Sequence, residues 1–254
     1  MNEIKMIVTD LDGTLLRKDK TVSGYTSSVF RRCRDMGIKT VFATARPVRT
    51  VKSLNLSVRN DAAIYHNGAV ITIDDVVYRR FGIGAETANS LLSHIINRYK
   101  GLRSSIEIDD VLYANFDVSS VWSNTGAVWT DFSDLPDRPA DKIIFVTAES
   151  QMVSGIRGML PDELYGEIVE NQILTVMHKE AGKRNAVGEI AERFGISLSS
   201  VAAFGDDYND MEMLRACGTG LAMGNALAEV KAAADDICDT NDNDGVAKWL
   251  ERNI

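Results

Sequence analysis

Short runs of adjacent apolar residues alternate along the chain with segments whose apolar positions fall three or four apart. Ile4 to Thr9 form a nearly continuous apolar run, the pattern of a strand buried on both faces of a parallel sheet. Val22, Tyr25, Val29, Phe30, Cys33 and Met36 then recur at helical spacing, and Gly37 marks the end of that helix. "IKTVFAT" predicts a second strand ending at Thr44, and Pro47 predicts the first turn of another helix. Strand, helix and strand with short links make a βαβ unit, so the sheet should be parallel with helices on its faces. The rhythm returns late in the chain. Lys183 to Phe194 carries a helical stripe of Ala186, Val187, Ile190, Ala191 and Phe194, and "SVAAFGD" reads as the strand that follows.

The period changes between these flanks. Ala85 to Tyr99 reads as a helix, and "SSIEIDDVLYAN" as two alternating runs joined at Asp109 and Asp110 like a hairpin. A polar stretch follows with Trp122 and Trp129, which could line a pocket or fill the module's core, the core being the better expectation. Then come the strand "KIIFVTA", a helix near Gln151 to Leu160, and the strands "LYGEIVE" and "ILTVMHK". Hairpins and mixed strands suit an α+β module, residues 82–179, inserted into an α/β domain made of residues 1–81 and 180–254.

Composition narrows the partners. The 254 residues are 45% hydrophobic and 25% charged, ordinary for a globular protein with a full core. A net charge of −8 speaks against a nucleic-acid or anionic-membrane surface. Cys33, Cys217 and Cys238 are scattered, with no CxxC spacing; that fits a reducing cytoplasm and neither a disulfide framework nor a zinc site. "MNEIKMIVTD" has no run of signal-peptide length, and no run approaches a membrane span, so a cytoplasmic location is expected.

Four short stretches carry the candidate chemistry. In "VTDLDGTLL", Asp10 and Asp12 follow the first strand two positions apart, so extended backbone would point both carboxylates to one side. Taken alone the pair reads as a turn, although strand ends of this kind are where α/β sheets bind ligands. Thr44 in "FATAR" offers a hydroxyl to a phosphate oxygen, or caps the next helix. Lys183 lies in phase with its helix's apolar stripe, where a lysine usually snorkels to solvent but can also serve as a fixed cation. In "FGDDYNDMEML", Asp206, Asn209 and Asp210 cluster after a strand, more polar groups than a cap requires. Magnesium suits such a set, since it takes hard oxygen ligands and keeps several waters. The late "DTNDNDG" departs from a calcium loop, with Gly245 one place late and no closing Glu, and reads as a polar loop. Together the pieces make a kit for phosphoryl transfer through a carboxylate nucleophile.

These stretches resemble the four motifs of the haloacid dehalogenase superfamily, in the order and spacing of its Cof-type, Mg²⁺-dependent phosphatases. "NGA" at Asn67 to Ala69 and the closing "NDNDGVAKWL" extend the resemblance to nearly the whole chain. It implies an α/β fold, a Rossmann-like parallel sheet core with an inserted α+β cap of the C2 type. Asp10 would be the nucleophile and a magnesium ligand. Asp12 would be the general acid and then base, binding magnesium through its carbonyl. Thr44, Lys183 and Asn209 would hold phosphoryl oxygens, Asp206 would ligate Mg²⁺, and Asp210 would support them from behind. Two positions depart from the family pattern: Ala45 and Arg184 stand where glycine is more usual.

The implied substrate is a small-molecule phosphate ester such as a sugar phosphate, pyridoxal phosphate or flavin mononucleotide. Two rivals use similar parts. A signalling receiver module holds a phospho-aspartate as a switch, and its argument is weakened by Asp12 and by the inserted module. A phosphomutase or phosphotransferase passes the group to an acceptor other than water.

Overall fold

The computed structural model describes residues 3–122, 126–169 and 172–254. The chain forms two compact units, Met1–Arg79 with Gly182–Ile254, and Arg80–Ala181. Before the insertion the elements are β1 (Met6–Thr9), α1 (Gly24–Asp35), β2 (Lys39–Ala43), α2 (Val48–Ser53), β3 (Ala62–Tyr65), β4 (Val70–Ile73) and β5 (Val76–Arg80). The inserted unit holds α3 (Ala85–Arg98), β6 (Ser104–Ile108), β7 (Val111–Ala114), β8 (Val128–Trp129), β9 (Ala140–Val146), α4 (Ser150–Arg157), β10 (Leu164–Val169) and β11 (Ile173–His178). The chain closes with α5 (Lys183–Phe194), β12 (Val201–Gly205), α6 (Met211–Ala216), β13 (Thr219–Ala222), α7 (Ala228–Ala233), β14 (Asp236–Ile237) and α8 (Gly245–Asn253).

The first unit is built on an 8-stranded sheet in the order β14-β13-β12-β1-β2-β3-β4-β5. Strands from β14 to β3 run parallel, and β4 turns back antiparallel on β3. β1 lies between β12 and β2, so the chain winds outward from it in both directions. That switch point is where open α/β sheets leave a crevice for ligands. Met6, Ile7 and Val8 of β1 have no exposed surface, and full burial of each such side chain contributes about 1.5–3 kcal/mol. Ser23 caps α1 by accepting from the Thr26 amide. Helix α1 packs with α8, and α5 with α6.

The inserted unit has a 6-stranded sheet, β10-β11-β9-β6-β7-β8. Ile106, Ile143, Phe145 and Val176 pack with Leu92 and Ile95 of α3 in its core. The β6–β7 hairpin turns at Asp109 and Asp110, which have positive φ. Arg80 bonds Asp141 at 2.6 Å, and burial raises that carboxyl to about 6 despite the guanidinium.

Several readings need correction. Tyr25 and Met36 are exposed, because α1 buries the stripe Thr26, Val29, Phe30 and Cys33, and Met36 follows the helix as its C-cap. Pro47 stands just outside α2 as its cap rather than within the first turn. Trp129 is 72% exposed at the edge of its sheet, whereas Trp122 packs on a small cluster of Leu112, Ala114 and Val118. The β4–β5 hairpin was not among the elements predicted. Among the described residues no helix is long and apolar enough to cross a membrane, and all three cysteines are buried and free.

Candidate active site

Three neighbouring strands assemble the site. β12, β1 and β2 run parallel in register, with Thr9 opposite both Phe204 and Phe42. Their C-terminal ends therefore lie side by side. Asp10, Thr44 and Asp206 follow directly from these ends.

Asp10 is only 6% exposed, and its Oδ1 accepts a hydrogen bond from Lys183 Nζ at 2.7 Å. The same ammonium donates to Asp210 Oδ1 at 2.6 Å. The other oxygen of Asp210 accepts from the backbone amides of Asp206 and Asp207. Lys183 thus does not snorkel to solvent; it is 2% exposed and fixed between two carboxylates. Burial opposes its charge, but the two carboxylates outweigh burial and raise its pKa. Burial raises the Asp10 carboxyl as well, with Lys183 pulling it down and Asp210 and Asp206 pushing it up.

Asp206 completes a concentration of negative charge. Asp10, Asp206 and Asp210 each offer a carboxylate oxygen, all within 4.8 Å of one another. Burial first, and then the charge of Asp210, pushes Asp206 up to about 6 although Thr14 donates to its Oδ1 at 2.8 Å. One ammonium does not balance three carboxylates, and the donors are hard oxygens. That composition fits a divalent cation of the magnesium kind. With both Asp210 oxygens already engaged, Asp10 and Asp206 are the side chains suited to hold it. Gly13 makes room: at φ 77°, a Cβ there would lie 2.2 Å from Asp206 Oδ2.

Asp12 has different partners. β1 ends at Thr9, and the chain then turns, with the Leu15 amide bonded to the Asp10 carbonyl. The two-residue period of a strand no longer applies beyond Thr9, and Asp12 has partners of its own. Asp12 instead takes a two-pronged bond from Arg46, Nε at 2.5 Å and Nη2 at 2.7 Å, and a third from Lys20 at 2.7 Å. Burial works to raise its pKa, but the hydrogen bonds from Arg46 and Lys20 prevail and lower it.

Thr44 is buried, and its hydroxyl accepts from the Arg46 amide at 3.1 Å. Accepting there leaves the hydroxyl proton available as a donor. Asn209 sits in the 3₁₀ turn Tyr208–Asp210, and its Nδ2 donates to Asn67 Oδ1 at 2.9 Å. Reasoning from sequence missed Arg46, Lys20, Thr14 and Asn67 as partners of the site. Arg46, Thr14 and Asn67 stood inside quoted stretches, but no spacing rule ties them to residues so far along the chain. Arg79 bonds Glu189, Arg80 bonds Asp141 and Asp109, and Arg103 lies over Phe116.

Comparison with known proteins identifies the family. The haloacid dehalogenase-like hydrolase family matches residues 7–250. The 5-amino-6-(5-phospho-D-ribitylamino)uracil phosphatase YitU of Bacillus subtilis is 28% identical over 262 residues, spanning 97% of this chain and 96% of the relative. An HMP-PP phosphatase of Enterobacter sp. is 29% identical over 243 residues, spanning 90% and 87%. Among solved structures, a phosphatase of the haloalkanoate enzyme superfamily from Bacteroides thetaiotaomicron has a TM-score of 0.87 at 25% identity, covering 98% of this chain and 95% of that one. A Thermotoga maritima protein shares the fold with a TM-score of 0.89 at 24% identity, over 99% and 98%. The chain belongs to the haloacid dehalogenase-like hydrolases, as one of their phosphatases.

Proposed function

We propose that the protein is a cytoplasmic, Mg²⁺-dependent phosphatase that hydrolyses small phosphate monoesters through an aspartyl phosphate on Asp10. The observation that carries this reading is the buried Lys183 ammonium fixed between Asp10 and Asp210, beside the Asp206 carboxylate. Asp10 attacks phosphorus as the bond to the leaving oxygen breaks, and Asp12 gives that oxygen its proton. Asp12 then takes a proton from water, the water oxygen attacks phosphorus, and the bond to Asp10 breaks, releasing inorganic phosphate. Because Arg46 and Lys20 favour ionised Asp12, it must part from them to carry that proton.

Lys183, the Thr44 hydroxyl and the Asn209 amide bind the phosphoryl oxygens. Asp10 and Asp206, with the Asp12 carbonyl, are the groups that would hold Mg²⁺. Bound magnesium supplies neutralisation of the charge that grows on the phosphoryl group. Asp210 orients Lys183 and the start of the Asp206 turn. The inserted unit, which lies between Thr44 and Lys183 in sequence, acts as the cap and selects the substrate beyond its phosphate.

The test is a panel of sugar phosphates, pyridoxal phosphate, flavin mononucleotide and 5-amino-6-(5-phospho-D-ribitylamino)uracil, ranked by kcat/KM. EDTA should silence phosphate release, magnesium should restore it, and Asp206→Ala should raise the magnesium required. Full activity in EDTA, with metal content checked, would contradict the reading.

A further inference from the structure

The turn between β3 and β4 holds three successive residues at positive φ. His66, Asn67 and Gly68 follow one another with φ of 48°, 55° and 118°. The next hairpin, β4–β5, turns on Asp74 and Asp75 alone. Non-glycine residues in the left-handed region cost about 1–3 kcal/mol each and persist where surrounding structure imposes them. Here the surrounding structure is the site. The His66 amide donates to the Arg46 carbonyl at 3.1 Å, and the Asn67 amide to the Thr44 carbonyl at 3.0 Å. A Cβ on Gly68 would lie 2.5 Å from the backbone nitrogen of Gly182, the residue that caps the helix of Lys183. Asn67 Oδ1 accepts from Asn209 Nδ2 at 2.9 Å. One turn thus touches the segments that carry Thr44, Lys183 and Asn209, from three separate parts of the chain.

We infer that Asn67 is a positioning residue that fixes the side-chain amide of Asn209, and that the His66–Gly68 turn holds the phosphate end of the site in register. This rests on Asn209 binding a phosphoryl oxygen. An asparagine amide has two hydrogens; the bond to Asn67 uses one and sets the plane of the group, leaving the other for phosphate. Without Asn67 the Asn209 amide is free to rotate, and the cost falls on every substrate alike, since all share the phosphoryl group.

The test is a double-mutant cycle with Asn67→Gly and Asn209→Ala. Glycine removes the side chain and keeps the left-handed backbone accessible; should that variant fail to fold, Asn67→Ser takes its place. Two quantities are read on variants whose melting shows a folded state: the Kd of inorganic phosphate by calorimetry, and kcat/KM on three unrelated phosphate esters. The loss of one aligned hydrogen bond predicts a five- to tenfold rise in Kd, roughly, and a similar fall in kcat/KM for all three esters. In the Asn209→Ala background Asn67→Gly should add almost nothing, the mark of a residue that acts through another. Losses that multiply, an unchanged phosphate Kd in Asn67→Gly, or an Asn209→Ala protein that behaves as wild type would each overturn the inference alone. A wild-type protein that neither binds phosphate nor cleaves any ester would overturn the functional reading and this inference with it.

Discussion

Two carboxylates two residues apart in sequence end in opposite surroundings. Asp10 is nearly removed from solvent and shares one ammonium with Asp210. The Asp12 side chain is 37% exposed and rests on Arg46 and Lys20, which are themselves partly in solvent. Burial dominates at Asp10 and raises its pKa; hydrogen bonding to cations prevails at Asp12 and lowers it. The buried group has a cation that cannot leave without stranding two buried carboxylates, Asp10 and Asp210. The half-exposed group can change partners at small cost. A nucleophile needs the first kind of surroundings, and a residue that must take and give protons needs the second.

Substitution should separate the two most sharply in turnover. Asp10→Asn should abolish steady-state phosphate release, since an amide is a poor nucleophile and a poor magnesium ligand. Asp12→Asn should keep a slow rate, down by about 10²–10⁴-fold, because only proton transfer is lost. Equal residual rates in the two variants would erase the distinction. Next in size is Lys183→Met, which leaves Asp10 and Asp210 buried without their cation. Calorimetric unfolding should show a loss of about 3–5 kcal/mol, the range for breaking one side of a buried pair. The smallest effect is expected from Arg46→Met. Its pair with Asp12 is partly solvated, so the stability lost should stay near or below about 1 kcal/mol. A loss as large as that of Lys183→Met would show Asp12 to be held as firmly as Asp10.

The same contrast marks what could be read along the chain. Lys183 was visible in phase with Ala186, Val187 and Ile190, and helix α5 begins and ends where its periodicity says. What periodicity left open was whether its ammonium snorkels or stays inside, because that depends on Asp10 and Asp210, distant along the chain. The strand period that relates Asp10 to Asp12 stops at Thr9. The hand-over of Asp12 to Arg46 follows from a turn and a side-chain contact across 34 positions, which no local pattern encodes. The β4–β5 hairpin was legible in principle. "VITIDDVVYRR" alternates around Asp74 and Asp75 much as the next hairpin does around Asp109 and Asp110. Trp129 was assigned to a core on its size alone; it belongs to a two-residue edge strand and is mostly exposed.

The account turns on Asp10 forming a covalent bond to phosphorus. The measurement that tests this most directly is the stereochemical course at phosphorus, using an ester whose phosphoryl group is made chiral with oxygen isotopes and sulfur. Transfer to Asp10 and then to water is two in-line displacements, each inverting the centre, so the account predicts net retention whether or not the intermediate accumulates. Net inversion would mean a single direct attack by water, and would contradict the role given to Asp10.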